Sequence, residues 1–452
     1  MLSARQDVIE PLLVSGSSDI NGSVNNDTIV QKNCYLHVRG NLKGSLTIEE
    51  GAKVVVEGSV DGKVVNRGGR LIVNNNGIAE FVAAEGPLEA EVGGVLKINL
   101  SAIVMNWGAL ARRSTGECAA LVNADAYRCG IEKVTAALAK SGCRTFFVAN
   151  LAEARRVRAM TADAAVYVLS GLVTGTGPAF AEINAQPVIN TLVEMAEWDV
   201  FAASNRWTGG FALNIDTGTG RLGISADEAA ALATRVHSPH HRITLVMSHL
   251  DHAQEPDHPQ NDRQLKLFLE LRRLFSGVPA SIADASGVFL GPKAHADMVR
   301  AGGALFGVNP TPGTDNPMLP VVEMQGRIAQ IHNLAPGESI AFTAGYSAKR
   351  RSRVAVVSVG FADGYPRVDI LAGVVPQAVV GGRLCPLAGR PAMDLLAVDI
   401  TDVSDPKAAR LGDMVTLIGG QIGIDAVAAA AKTTGDEILC HIGSRFRRYY
   451  HA

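Results

Sequence analysis

Apolar residues and glycines recur with a step of 18 positions through the first part of the chain, between residues 12 and 88. The repeating positions are Gly22, Gly40 and Gly58, with Val24, Leu42, Val60 and Ile78 beside them. A short fixed period of apolar residues with glycine at the corners is typical of a stacked β-solenoid. Eighteen residues fit one triangular coil of three strands, each about five to six residues long with its corner. We therefore predict a small β-helix over residues 1–88, with Phe81 in its terminal turn and Pro87 in the linker that follows.

The hydrophobic pattern changes after residue 94, where short apolar runs begin to alternate with amphipathic stretches. We predict strands at 118–122, 145–148, 165–169, 211–215 and 243–248, and helices at 131–141 and 151–161. Alternation of this kind over about 220 residues favours a (β/α)8 barrel. From about residue 320 the pattern becomes strand-rich, with predicted strands at 353–358, 378–380, 396–400 and 414–417. The expected domains are a solenoid (1–88), a barrel (89–325) and a C-terminal β domain (326–452).

Composition restricts the classes of function. The 452 residues carry a formal net charge of −2, so no basic surface for nucleic acid is expected. No apolar run reaches the roughly 18 residues of a membrane span, and no signal peptide opens the chain. Six cysteines lie scattered without C-x-x-C pairs, which fits reduced thiols in a cytoplasmic protein, with the inner face of the envelope as a possible location.

One segment resembles a cofactor motif whose reactive residue is replaced. Residues 121–130 read LVNADAYRCG and are similar to V-K-A-D/N-A-Y-G-x-G, the pyridoxal phosphate (PLP) signature of alanine racemases. In that family the lysine holds PLP as a Schiff base. Asn123 stands at the lysine position, and an amide neither forms that link nor acts as a base near neutral pH.

Six further segments resemble the same family in the same order, between Gly94 and Tyr450. They begin at Asn214 (NIDTGTGRLG), Ser248 (SHLDHAQEPDHP), Ser281 (SIADASG), Met298 (MVRAGGALFG), Ser358 (SVGFADGYPR) and Gly389 (GRPAMD). The resemblance implies PLP fold type III, a (β/α)8 barrel followed by a β domain, and racemisation of alanine for peptidoglycan. It also implies a homodimer in which each active site takes its second base from the partner.

The family's two bases are both replaced in this chain. Racemisation needs an electron sink, which PLP supplies, and proton transfer on both faces of the α-carbon. The resemblance places the lysine base at Asn123 and the tyrosine base at Phe361, whose phenyl ring carries no exchangeable proton. Of the other lysines, Lys97, Lys133 and Lys349 fall where the family aims no side chain at the cofactor.

The resemblance implies PLP contacts at Tyr127, Arg300, Ser286 and Gly302, and substrate contacts at Arg221 and Met393. Several other cofactor positions have changed. Ala285 replaces a phosphate-binding serine, Asp284 an asparagine, Ser444 a tyrosine and Arg128 a glycine. We therefore expect PLP to bind weakly or not at all, since each lost hydrogen bond to a charged group removes roughly 1.5–3 kcal/mol.

Two hypotheses of function follow. The first is a catalytically degenerate, racemase-like scaffold, whose solenoid resembles bactofilins and polymerises through its open strand edges. The second is an active PLP-dependent alanine racemase that uses an unrecognised base. A third and weaker alternative is a sensor of alanine or free PLP. We favour the scaffold at this stage.

Histidines cluster in two places, His237–His241 and His249–His258, and the second cluster also contains Asp251, Glu255 and Asp257. Such residues can bind zinc. The family has a segment similar to the second cluster without metal, so we expect no metal site there, and the first cluster is interpreted as a surface loop.

Overall fold

The computed structural model describes residues 11–67, 69–73, 78–81, 93–233, 242–343, 346–368 and 375–451. The predicted linker at Pro87 and the histidines 237, 240 and 241 lie outside the described residues. The chain divides into two compact units, residues 1–95 with 445–449, and residues 96–444 with 450–452. The predicted domain limits at residues 88 and 325 stay predictions.

The first unit contains a parallel β-helix. Its strands are β1 (Leu12–Val14), β2 (Ser17–Ile20), β3 (Ser23–Val24), β4 (Thr28–Val30), β5 (Tyr35–Val38), β6 (Asn41–Leu42), β7 (Leu46–Ile48), β8 (Lys53–Val56), β9 (Ser59–Asn66), β10 (Arg70–Val73) and β11 (Ile78–Phe81). One face stacks β1, β4, β7 and β9, a second stacks β2, β5, β8 and β10, and β3, β6 and β9 form a third ladder. The register pairs Thr28 with Leu46 and Leu46 with Val64, which is the 18-residue step seen in the sequence.

Stacking explains which residues recur. The inward positions Val30, Leu36, Leu46, Val54 and Val64 are fully buried. The corner glycines allow close approach of successive coils, because a Cβ on Gly58 would overlap the carbonyl oxygen of Gly40. The predicted solenoid is therefore confirmed for the described residues.

The second unit begins with a closed parallel barrel. Its strands are β13 (Glu117–Leu121), β14 (Thr145–Val148), β15 (Ala165–Val168), β16 (Gln186–Ile189), β17 (Phe211–Asn214), β18 (Ile243–Met247), β19 (Ala280–Ser281) and β20 (Met298–Ala301). From β13 to β19 each strand pairs with the next, and β13 also pairs with β20. The seam between β19 and β20 closes through a bridge between Asp284 and Arg300, with Arg300 N–H donating to the Ala283 carbonyl at 3.0 Å.

Helices connect the barrel strands, and apolar side chains fill the interior. The helices are α1 (Leu100–Arg113), α2 (Asn123–Tyr127), α3 (Ile131–Lys140), α4 (Leu151–Met160), α5 (Gly177–Glu182), α6 (Leu192–Asn205), α7 (Ala226–Ala233), α8 (Pro259–Arg272) and α9 (Pro292–His295). Successive strands contribute to one interior cluster, which includes Ala119, Phe147, Tyr167, Leu245 and Met298. The barrel is thus a packed core, and the cavity lies at its mouth.

An antiparallel β domain follows the barrel. It comprises β21 (Val322–Leu334), β22 (Ser352–Val357), β23 (Gln377–Val380), β24 (Arg383–Pro386), β25 (Leu396–Asp399) and β26 (Met414–Ile418), with α10 (Ile424–Ala431) and α11 (Gly435–His441). The long strand β21 pairs with both β22 and β26. Two further strands are β12 (Gly94–Asn99) and β27 (Arg447–His451). The predicted fold class, a (β/α)8 barrel with a C-terminal β domain behind a small solenoid, is confirmed. Among the described residues, no helix is long and apolar enough to cross a bilayer.

The solenoid core makes a testable prediction about stability. Leu46 is fully buried on β7, while its neighbour Thr47 points the other way and is only half-buried. Leu46→Ala should lower the free energy of unfolding of the solenoid by about 2–5 kcal/mol, because it removes buried methyl groups and leaves a cavity. Urea unfolding followed by circular dichroism measures this loss, with Thr47→Ala as the matched control. An equal loss of unfolding free energy in the two variants would contradict the assignment of Leu46 to the interior of the solenoid and of Thr47 to its outer face.

Candidate active site

A cavity of about 380 Å³ opens at the carboxyl ends of the barrel strands. Active sites of (β/α)8 barrels lie at this end, because the loops after the strands converge there. Its apolar wall includes Leu121, Leu169, Val188 and Met247. The polar lining residues are Asn123, Ser170, Asn214, Asp216, Thr219, Arg221, Ser248, His249 and Arg300. Three of the expected site residues, Asn123, Arg221 and Arg300, thus meet in one cavity.

Asn123 follows β13 directly, where the family motif has its lysine. Its side-chain oxygen Oδ1 is buried and finds no hydrogen-bond partner among the described residues. A buried acceptor without a donor is unfavourable by about 1–3 kcal/mol, so this oxygen favours a ligand that donates to it. No lysine lines the cavity in the part of the chain that the structure describes, and Lys97 instead pairs with Glu323 at 2.9 Å.

The turn after Asn123 is left-handed. Ala124, Asp125, Ala126, Tyr127 and Arg128 all have φ between 52° and 62°, so α2 is a left-handed helical turn. Each such residue is strained by roughly 1–2 kcal/mol when it carries a Cβ. Runs of this kind persist only where surrounding contacts determine the backbone, and they cluster at functional sites.

Three charged side chains hold this turn in place. The Glu153 carboxylate accepts from the backbone N–H groups of Asp125 at 3.2 Å and Ala149 at 2.9 Å. Asp125 accepts from Arg156 Nη2 at 2.6 Å, and Arg156 also binds Glu132 at 2.7 Å. These contacts join residues about 30 positions apart, so the sequence analysis missed Glu153 and Arg156. A glutamate and an arginine three residues apart are common on surface helices, so the pair Glu153 and Arg156 gives no hint in the sequence that it holds the turn.

Arg300 lies on β20 beneath the cavity and is 4% exposed. Its Nη1 donates to Ser281 Oγ and its Nη2 to the Ser248 carbonyl, both at 2.6 Å. Burial lowers the pKa of the guanidinium to about 10, with nearby Asp284 acting in the opposite direction. Arg300 therefore stays charged at neutral pH and places a fixed positive charge at the cavity floor.

His249 reaches the same cavity from the loop after β18. The pKa of its imidazole is lowered to about 4, mainly by burial. The Arg300 and Arg221 charges also lower this pKa, whereas the Asp284 and Asp251 charges raise it. The imidazole is therefore neutral at pH 7 and has a lone pair available. Sequence analysis placed His249 in a family segment without assigning it a role, because its proximity to Arg300 arises only when the barrel closes.

Tyr127 and Gly302 meet beside the cavity, as the resemblance implies. A Cβ on Gly302 would lie 2.7 Å from the Tyr127 hydroxyl oxygen, so glycine is required for this approach. The backbone N–H of Gly303 donates to that hydroxyl. The Tyr127 ring also stacks on Phe306 with centroids 4.6 Å apart. A hydroxyl and backbone N–H groups in one place are suitable donors for an anion.

Two carboxylates face the same region. Burial, and to a smaller extent the Asp284 charge, raise the pKa of Asp436 to about 6. Burial is the main cause that raises the pKa of the Tyr127 hydroxyl, and the charges of Asp436 and Asp284 raise the same pKa to a smaller extent. Ser286 is buried nearby at the start of a short 3₁₀ helix whose Gly287 N–H donates to Asp284 at 2.8 Å. Negative charges here oppose a phosphate dianion.

The remaining expected residues lie outside the cavity lining. Phe361 is 40% exposed and Met393 is 57% exposed in the C-terminal domain. Their segments pair, with Phe361 N–H donating to the Ala392 carbonyl at 2.9 Å and Ala362 N–H to that of Met393 at 2.9 Å. Arg367 lies over the Phe361 ring at 5.9 Å. Arg128 Nε donates to the Cys440 carbonyl at 3.2 Å, and Ser444 is exposed.

Comparison with known proteins identifies this arrangement. The family model "Alanine racemase, N-terminal domain" matches residues 98–310, and "Alanine racemase, C-terminal domain" matches residues 321–450. Both matches lie outside the solenoid strands. The bactofilin resemblance of the solenoid and its polymerisation therefore stay predictions.

Individual relatives agree with the family match. An alanine racemase of Methylobacterium sp. (strain 4-46) is 43% identical over 79% of this chain and 98% of the relative. A catabolic alanine racemase of Mesorhizobium japonicum is 40% identical over 80% of this chain and 94% of the relative. The biosynthetic alanine racemase of Pseudomonas aeruginosa has a similar structure, with a TM-score of 0.73 and 32% identity over 80% of this chain and all of that one.

The structure of the Bartonella henselae alanine racemase, which has covalently bound pyridoxal phosphate, gives a TM-score of 0.74. It is 29% identical over 79% of this chain and 99% of that chain. PLP is thus the cofactor of the family.

These matches correct the favoured hypothesis. The catalytically degenerate scaffold was inferred mainly from two replaced residues, Asn123 and Phe361. Relatives that this chain spans almost in full, at 40% identity and above, are alanine racemases, and they support the active enzyme instead. The scaffold hypothesis is therefore wrong, because two positions were given more weight than a 43% identity over 359 aligned residues.

Since the two family models together match most of the chain and a 43% identical relative is covered almost from end to end, this chain belongs to the alanine racemase family.

Proposed function

We propose that this chain interconverts L- and D-alanine and that it holds PLP without a covalent link. The observation that carries the proposal is the convergence of Arg300, Arg221 and His249 on one cavity at the barrel mouth, in a chain of the alanine racemase family. Family membership gives the substrate class, and the cavity supplies the polar groups that such a substrate needs.

The cavity fits a small amino acid. Its lining combines the cationic side chains of Arg221 and Arg300 with an apolar wall that contains Leu169 and Met247. A guanidinium binds a carboxylate well because its N–H donors match the two oxygens. The apolar wall suits a methyl side chain. A substrate ammonium group or a cofactor hydroxyl would supply the donor that Asn123 Oδ1 lacks.

The residues fit PLP held by hydrogen bonds and charge, although not through an imine link. Tyr127 Oη and the N–H group of Gly302 would hold its phosphate, with the Gly303 N–H orienting the Tyr127 hydroxyl, and Arg300 would lie near its ring. The buried, unpaired oxygen of Asn123 indicates a missing polar partner at the family lysine position. When bound, PLP supplies an electron sink for the negative charge that develops at the α-carbon.

Binding of PLP is expected to be weak. No amine at position 123 can anchor the cofactor, and Ala285 offers no side-chain hydroxyl. Asp284 and Asp436 place negative charge near the Tyr127 hydroxyl, which opposes a phosphate dianion. Burial raises the pKa of Asp436 to about 6, so this carboxylate is mostly charged at neutral pH, and its repulsion of a phosphate weakens only as the pH falls towards 6.

We assign proton transfer at the α-carbon to His249. Among the lining side chains that the structure describes, His249 and Asp216 have basic lone pairs near neutral pH. Asp216 is engaged, because its Oδ1 accepts from the backbone N–H groups of Gly218, Thr219 and Gly220. His249 is neutral because of its burial, so it can accept a proton and return it. Phe361 has no proton to exchange, so the second face of the α-carbon exchanges with solvent.

Assembly is the second part of the proposal. As the family resemblance implies, two chains would form a homodimer through the racemase-like body. The exposed Phe361 and Met393 belong to segments that are hydrogen-bonded to each other, and they provide an apolar surface for such a contact.

Racemisation is tested by deuterium exchange. Incubation of L-alanine with the protein in D₂O and excess PLP should label the α-carbon and produce D-alanine above a control with PLP alone. Gel filtration should abolish the activity because PLP is not covalently held, and added PLP should restore it. An exchange rate equal to that of PLP alone would contradict the proposed function.

Asn123→Lys tests how the cofactor is held. A lysine at this position can form the imine link, so the variant should turn yellow with PLP and keep the cofactor through gel filtration. Asn123→Gln is the matched control, since it lengthens the side chain but keeps an amide. Retention of PLP by the unmodified chain to the same extent as by the lysine variant would exclude weak, non-covalent binding.

His249→Gln tests the proton-transfer assignment. Loss of a positioned base should lower the exchange rate by about 10²-fold or more. His332→Gln on β21, away from the cavity, is the matched control. Thermal melting of both variants shows whether the fold is retained.

The pH profile gives a second measurement of the same assignment. A protonated imidazole has no lone pair, so activity falls when His249 becomes charged. Because the pKa of His249 is lowered to about 4, the rate should hold between about pH 8 and pH 5 and fall only as pH approaches 4. A decline centred near pH 6.5 in the wild type would contradict a buried, neutral base.

A further inference from the structure

We propose that His252, Glu255 and His258 form a binding site for a divalent transition metal, with Zn²⁺ as the best match. The three side chains each offer one ligand atom, and these atoms all lie within 4.8 Å of one another. Two imidazoles and a carboxylate are a donor set that zinc accepts, with water completing the coordination. The site lies on the loop between β18 and α8 and is separate from the proposed racemase chemistry.

The backbone brings the three residues onto one side of the loop. Glu255 N–H donates to the His252 carbonyl, and His258 N–H donates to the Glu255 carbonyl, each at 2.9 Å. Two successive bonds from residue i+3 to residue i make two tight turns. Side chains three residues apart then lie above one another, as in a 3₁₀ helix. In this conformation the spacing H-x-x-E-x-x-H therefore places all three potential ligand side chains on the same side of the loop.

A buried asparagine fixes these turns. Asn261 is 3% exposed, and its Nδ2 donates to the carbonyls of His252 at 3.0 Å and Glu255 at 2.9 Å. The same amide group therefore holds the backbone of two of the three ligand residues. A site that is ordered before metal arrives loses less conformational entropy on binding.

The ligand atoms lie close together, and the two rings must rotate before both can bind one metal. The His252 and His258 rings stack with centroids 3.6 Å apart and planes 13° apart, so their in-plane lone pairs run side by side and do not yet converge. His252 Nδ1 lies 3.2 Å from Glu255 Oε1. Neighbouring ligands of a tetrahedral zinc with bonds of about 2.1 Å are about 3.4 Å apart, so this pair needs little movement. His252 Nε2 also lies 3.4 Å from Asp251, a second carboxylate that favours a cation here.

Metal binding would break one hydrogen bond of His258. His258 Nδ1 accepts from the Gln260 N–H at 3.2 Å, which is a long bond at the start of α8. Coordination through Nε2 would require the proton on Nδ1 and would release this contact. The cost is small, because a neutral hydrogen bond contributes about 0.5–1.5 kcal/mol and this one is long.

The site lies on the same loop as His249. Gln264 on α8 accepts from Asp251 N–H at 2.9 Å, and its Nε2 donates to the His249 carbonyl at 2.9 Å. Metal bound on one side of these contacts would restrain the loop, and the protein should melt at higher temperature with zinc present.

Isothermal titration calorimetry of the full, tag-free chain with ZnCl₂ tests the proposal, and Co²⁺ absorbance reports the coordination geometry. The unmodified protein should bind one equivalent at these histidines. His252→Asn and His258→Asn should each weaken this binding at least tenfold, and Glu255→Gln should weaken it less. The matched control is the double variant His240→Asn and His241→Asn, which removes two histidines from elsewhere and should retain the binding.

The titration has clear opposing outcomes. Absence of zinc binding would overturn the proposal, and so would binding that persists unchanged in both His252→Asn and His258→Asn. Loss of the binding in the His240 and His241 variant alone would assign the metal to that segment and equally overturn it. Because His252 and Glu255 are partly or well exposed, their substitution should leave the fold intact, which circular dichroism verifies.

Discussion

The barrel and its cavity depend on one buried charge. Arg300 sits on the last strand at the seam where the barrel closes, and its guanidinium must find acceptors because an unpaired buried charge is very unfavourable. Ser281 Oγ supplies one acceptor from β19, and the Ser248 carbonyl supplies another from the loop after β18. The same three residues therefore join the closing strands to the cavity floor. Loss of the seam would remove the acceptors, and loss of the arginine would leave two buried oxygens without donors.

A second constraint acts on the opposite side of the cavity. The left-handed turn after Asn123 costs several kcal/mol in backbone strain if each residue contributes roughly 1–2 kcal/mol. Glu153 and Arg156 from α4 offset that strain through charge-assisted hydrogen bonds to the turn. Position 123 is thus held by contacts that do not involve its own side chain. This explains how lysine can be replaced by asparagine while the cavity keeps its form.

The sequence predicted the fold well and the site only in part, for identifiable reasons. The 18-residue period was visible because every solenoid coil buries side chains at the same positions. Leu46 and Val64, for example, are equivalent residues of successive coils. Five of the eight barrel strands were located to within about one residue because each is a short apolar run, whereas β16, β19 and β20 were not predicted. His249 and Glu153 were missed because their contacts join elements that are distant in sequence. The stacked histidines 252 and 258 were set aside because a family segment without metal resembled theirs, and the two turns that bring their side chains together are not visible in the sequence.

The function was misjudged for a different reason, which concerns energetics. Replacement of two bases removes proton transfer at those positions, and such groups typically contribute about 10²–10⁴-fold. That loss does not remove the cavity, the buried arginine or the neutral imidazole, which form the environment in which charge at an α-carbon is stabilised. Asn123 also leaves a buried oxygen without a donor, and this favours the ligand-bound state over the empty one by roughly 1–3 kcal/mol. The replacement of lysine by Asn123 therefore removes the covalent link to the cofactor, and it also makes the binding of a hydrogen-bond donor in the cavity more favourable.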